Sequence, residues 1–100
     1  MSKQLEVDSD GSCRVTVLVD LASFMDIKAA VDEELAPDGA YRVDLSGLQF
    51  EGSAVLPLLV HMARRVRNGG GQLAFTGVPE RLTQMIEMAG LNWLLAAGSG

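Results

Sequence analysis

The sequence is poor in the side chains that most often do chemistry. In 100 residues it has one cysteine, Cys13, and one histidine, His61. A single thiol makes neither an internal disulfide nor a zinc site, and one histidine with one cysteine leaves no metal cluster. Cys13 is read as a small strand residue. Bases are also few: 8 Lys and Arg against 13 Asp and Glu give a net charge of −5, which argues against general nucleic-acid binding. No apolar run reaches the ~18 residues that suggest a membrane span. The N-terminal Met-Ser-Lys-Gln-Leu-Glu carries no apolar stretch of the signal-peptide kind, so a cytoplasmic location is expected. Repeats are missing, and the only low-complexity stretch is Gly69–Gly71. It precedes a strand and lacks the Gly-Lys-Ser/Thr ending, so it is not a phosphate loop.

What is present is a hydrophobic fraction of 48 %, enough for a globular chain with a real core. The length suggests one domain, placed at residues 1–95, followed by a frayed tail at 96–100. Charge is uneven. Residues 1–52 hold 11 acids and 4 bases, and the remainder holds 2 acids and 4 bases.

Local patterns give an order of elements. Residues 3–7 and 13–19 read as strands around the turn Asp8-Ser9-Asp10-Gly11-Ser12, and Cys13, Val15, Val17 and Val19 alternate with Arg14, Thr16 and Leu18. Residues 22–35 read as a helix with Ser23 as N-cap and Asp26 three residues on, near to a capping box, with Phe24, Ile27, Val31 and Leu35 on one stripe. Pro37-Asp38-Gly39 stops it, and 41–45 is the next strand. A helix starting at Ser53 buries Val55, Leu58, Leu59, Met62 and Val66, which recur at helical spacing, and Asn68-Gly69-Gly70-Gly71 ends it. Residues 72–76 form a strand. A last helix has Pro79 near its first position, with Leu82, Met85, Ile86 and Ala89 on the apolar side. Leu91, Trp93, Leu94 and Leu95 form a closing segment, with room for one further short strand near Leu94. Met25, Met62, Met85 and Met88 are read as core gap-fillers. The expected fold class is α/β, a mixed sheet of four to five strands with helices mainly on one face.

Ser53 is the residue of interest. As N-cap it places a hydroxyl at the positive end of a helix, close to the surface. It can be a plain cap, a contact residue or a phosphorylated switch, and phosphate would suit the helix dipole. A catalytic role needs a base, and His61 stands eight residues on, about 12 Å along the same helix, so a serine–histidine pair is excluded. Enzymatic activity and a bound cofactor are therefore not expected. Ser53, Pro57, His61 and Arg64 share one side of the helix, flanked by Leu56 and Val60. That strip is either a solvated face or a docking strip with an apolar centre and a basic end. Arg64, Arg65 and Arg67 sit near the helix C-terminus, where its dipole favours cations.

The stretch Val43-Asp44-Leu45-Ser46-Gly47-Leu48-Gln49-Phe50 followed by Glu51-Gly52-Ser53-Ala54-Val55-Leu56 resembles the signature of STAS domains, found in anti-sigma factor antagonists. So does the downstream run from Gly70 to Leu82, with Met88-Ala89-Gly90-Leu91 near the end. The resemblance covers about residues 41–95. It implies the STAS fold and a non-catalytic regulator, and it puts Ser53 at the phosphate-acceptor position on the surface that meets a kinase-like partner. Gly52 stands where the family has an acid, Ala54 and Val55 where it has a small pair, and Pro57 where it often has glycine. The small STAS subunits of Mla-type phospholipid ABC transporters are similar to about the same degree, through Ser53-Ala54 and Val78-Pro79. The resemblance thus implies one of two protein partners, an anti-sigma factor or serine kinase-like protein, or an ABC transporter ATPase subunit. Glu51, Gly52, Ser53, Ala54, Leu56, Pro57, Val60, His61 and Arg64 would form the contact surface. A reading of another class, a carrier holding a small ligand between sheet and helices, stands beside both.

Overall fold

The computed structural model describes residues 4–96. Strand β1 (Leu5–Val7) and strand β2 (Ser12–Val15) form an antiparallel hairpin, with Leu5 opposite Val15. Helix α1 (Phe24–Glu34) leads to β3 (Ala40–Asp44), helix α2 (Val55–Asn68) to β4 (Gln72–Thr76), and helices α3 (Glu80–Met88) and α4 (Trp93–Ala96) follow. The sheet order is β1-β2-β3-β4, with β2–β3 and β3–β4 parallel. This is the mixed-sheet α/β fold expected. The segment around Leu94 is helical, not a fifth strand. Of the expected tail, Ala96 closes α4, and residues 97–100 lie outside the described residues, as does Lys3 of the first strand.

Alternation of side chains separates the two sheet faces. Leu5, Cys13, Val15, Val43, Leu73 and Phe75 are buried, and they form one cluster with Ile27 and Val31 of α1, Leu58, Leu59, Met62 and Val66 of α2, and Leu82 and Ile86 of α3. The helices therefore lie on that face. Glu6, Arg14, Arg42 and Asp44 occupy the opposite, exposed face, where Arg14 pairs with Glu6 at 3.1 Å. The same cluster fills the layer in which a carried ligand would have to sit.

Several expected details differ. The second strand is shorter than 13–19. The β2–β3 ladder ends at Arg14 opposite Asp44, and strand pairing on that side resumes only where Val19 bridges Phe50. Ser23 does not cap α1 through its side chain. Its hydroxyl donates to the Leu18 carbonyl at 2.7 Å and accepts from the Asp20 N–H, while Asp20 Oδ1 accepts from the Ser23 N–H at 2.9 Å. This is a reciprocal box three residues upstream of the expected one, with Ser23 as its second member. Met25 and Met88 are 65 % and 89 % exposed, so neither fills the core, and Ala89 is exposed at the C-cap of α3. In both helices a local polarity pattern had to compete with where the neighbouring elements pack.

Helices α2 and α3 stop in the same way. After α2, Gly70 takes φ +88°, its N–H donates to the Arg67 carbonyl, and the Gly71 N–H donates to Val66. After α3, Gly90 takes φ +72° and Leu91 donates to Ile86. Both are Schellman stops, which need a left-handed residue just past the helix. The second fixes the backbone of Leu91.

Candidate functional site

The loop between β3 and α2 is fastened at both ends. Asp44 Oδ1 accepts from the Ser46 N–H at 2.9 Å, and that bond is the main reason its carboxyl is held below the ordinary 3.8. Further along, the Val19 N–H donates to the Gln49 carbonyl at 2.9 Å and the Glu51 N–H to the Val19 carbonyl at 3.0 Å. The Arg81 guanidinium lies 5.1 Å from the centre of the Phe50 ring, within cation–π range. Glu51 thus leaves a held segment, and Gly52 at φ +68° turns the chain towards α2. Gly52 is left-handed here, a conformation that costs glycine nothing.

Ser53 is exposed, but it is not the N-cap. Ala54 takes that place, helix α2 begins at Val55, and no side chain caps it. The cause lies one turn on. Pro57 has no N–H with which to reach the Ser53 carbonyl, and the Leu56 N–H takes that carbonyl instead, at 3.1 Å. The helix tightens at its start, and Pro57 stands at its third position. Among the described residues the Ser53 hydroxyl has no hydrogen-bond partner.

The structure separates the expected contact residues into two groups. Glu51, Gly52 and Ser53 are exposed at the loop, with Ala54 half-buried behind them. Leu56, Pro57, Val60, His61 and Arg64 come together along the outer side of α2, as wall of a surface groove of about 530 Å³. Its other wall is Phe24 and Lys28 of α1, and Leu91 closes it. The sequence had placed Phe24 in the core stripe and Leu91 in a packing segment. Phe24 sits half-buried at the groove edge, and the i, i+4 spacing of Phe24 and Lys28 was the available signal that they share a side. Leu21, 85 % exposed, and Met25, 65 % exposed, flank Phe24 on the same stretch.

His61 is not on a plain solvated face. Its Nε2–H donates to Asp32 Oδ1 of α1 at 2.7 Å. Arg65 reaches the same region: its Nε donates to the Leu35 carbonyl and its terminal nitrogen to the Asp32 carbonyl, both at 2.7 Å. Arg65 therefore satisfies the C-terminal carbonyls of α1 rather than serving the dipole of its own helix. Arg67 lies 5.4 Å from the centre of the Trp93 ring. Of the three arginines, Arg64 alone is exposed on the groove.

Cys13 is 3 % exposed, and burial first, then Asp8 and Asp10, push its thiol up to about 11, so it stays protonated near neutral pH. Among the described residues no three His, Cys, Asp or Glu side chains could share a metal ion, and no helix is long and apolar enough to cross a membrane.

Comparison with known proteins bears on the same stretch. A family model described as "Mlab, STAS domain" matches residues 5–96. No curated protein matches the sequence.

Proposed function

The chain belongs to the STAS domain family, whose members are generally non-catalytic and mediate protein–protein contacts, and from that premise we propose that it is a regulatory interaction module. It docks a partner protein through the Glu51–Ala54 loop and the outer side of α2, and Ser53 is the switch. One observation carries this reading: an exposed hydroxyl, with no hydrogen bond among the described residues, stands at the positive end of α2, the helix whose Leu56 and Pro57 line an apolar groove. Phosphate on Ser53 would be stabilised by the helix end and would add up to about two negative charges beside Glu51. A partner that is acidic or apolar there would be expelled. In this form the protein acts like an anti-sigma factor antagonist on a serine kinase-like partner. The test is incubation with any serine kinase-like protein encoded near its gene, followed by mass spectrometry, and binding of the Ser53→Asp variant. Phosphate on Ser53 and loss of binding by the variant are expected; an unmodified Ser53 together with unchanged binding would end the switch reading.

A second reading is favoured by the description of the matching family and by Ser53-Ala54. In it the chain is the STAS subunit of an Mla-type phospholipid ABC transporter and regulates the ATPase by contact. Co-purification separates the two: a nucleotide-binding transporter subunit supports this reading, and a soluble kinase opposes it.

A further inference from the structure

We propose that the groove between α1 and α2 takes an amphipathic helix of the partner protein, with its apolar face inward and aspartate or glutamate at its margins. The inference rests on the docking reading above and names what the partner must present.

Three features lead to it. The lining is largely apolar: Phe24, Leu56, Val60 and Leu91 are each half-buried and packed against the core, leaving part of each surface for a visitor. The two long walls are helices, whose backbone groups are already engaged in helical hydrogen bonds. An incoming segment gains no ladder there, as it would at a sheet edge, and must satisfy its own N–H and C=O groups, which a helix does. Finally, the groove carries one cation from each helix, Lys28 and Arg64, and no acid lines it. Among the described residues neither cation forms an ion pair, whereas Arg14 and Arg65 do. In a chain of net charge −5 this is a local positive site awaiting a negative complement. From Leu56 to Arg64 the groove follows about 12 Å of α2, a length that roughly two turns of a partner helix cover with anchors at i, i+3 or i+4, and i+7.

The test is selection from a displayed library of helical peptides about 18 residues long, with both the apolar stripe and the flanking positions randomised, against the intact protein. Expected are binders with Leu, Phe or Met at helical spacing and Asp or Glu beside them. The double variant Lys28→Glu, Arg64→Glu alters surface charge only, and circular dichroism verifies its fold. It should weaken these binders about tenfold, and salt should narrow the difference. An absence of binders above background, basic or extended sequences, or unchanged affinity in the double variant would overturn the proposal. So would a concentration-dependent dimer that the double variant abolishes, because the groove would then belong to a second copy. The two readings fail separately. A native partner that responds to Ser53→Asp but not to the charge reversal sinks the groove assignment alone. Peptides that respond to the reversal, with a native partner indifferent to Ser53→Asp, sink the switch alone.

Discussion

Ser53 and Arg65 show how one side chain can differ in role from its position in the sequence. Serine just before a helix is usually a cap, and removing a cap costs about 1 kcal/mol. Here the hydroxyl bonds to nothing among the described residues, so Ser53→Ala should change stability by less than about 0.5 kcal/mol in urea unfolding, the range of ordinary surface substitutions. A loss near the full cap value would mean that the hydroxyl does cap α2 in solution. Arg65 is the opposite case. Sequence suggests a surface cation near a helix end, yet its two 2.7 Å bonds join α2 to the last carbonyls of α1. Arg65→Ala should cost about 1–3 kcal/mol, because it strands the part-buried Leu35 carbonyl, while water can take over the exposed one of Asp32. Arg65→Lys should recover only part of the loss, since one ammonium cannot reproduce the two-pronged geometry of the guanidinium. Equal stability of wild type and the alanine variant would remove this bond pair as a structural tie.

At the scale of elements, the glycines after α2 divide the work. Gly70 supplies the left-handed turn, and a Cβ on it would meet no atom within 4 Å. Gly71 is closed in from outside: a Cβ there would strike the Gly39 carbonyl oxygen and crowd Val66. Gly70→Ala should therefore cost only the left-handed penalty, about 1–2 kcal/mol. Gly71→Ala should exceed it, towards about 3 kcal/mol, because backbone rather than a flexible side chain must shift. Thermal unfolding of the two variants checks the order, and the reverse ranking would show that the strand-side contact is loose. The starts of α1 and α2 teach the same lesson from the other end. Candidate caps at Ser23 and Ser53 were legible as polar residues before an apolar period. Which hydrogen bonds they make was decided by Asp20 upstream of one and Pro57 downstream of the other.

At the scale of the whole molecule, acid sensitivity follows from two aspartates that hold turns. Asp10 accepts from the Ser12 N–H in the β1–β2 turn, and Asp44 from Ser46 at the end of β3; in both, that bond is the leading cause of a carboxyl held below 3.8. A lowered folded pKa means that the unfolded chain binds more protons as pH falls. The stabilisation is therefore complete above about pH 5 and is lost on descending through 3.8 and below. Urea midpoints should be flat above pH 5 and fall on further acidification, and Asp10→Asn with Asp44→Asn should flatten part of that fall. Identical acid profiles for the wild type and the double variant would contradict the assignment.

The sequence by itself determined the order of strands and helices as far as α3, the buried stripe of α2, the glycine stops and the family, because each is written in spacing along a few neighbouring residues. Only the tertiary structure decided that His61 and Arg65 reach across to α1, that Met25 and Met88 face outward, and that Phe24, Lys28 and Leu91 join Val60 and Arg64 around one groove. Those facts depend on which helix lies beside which, and on contacts between residues some thirty or more positions apart, and no local period encodes such a distance.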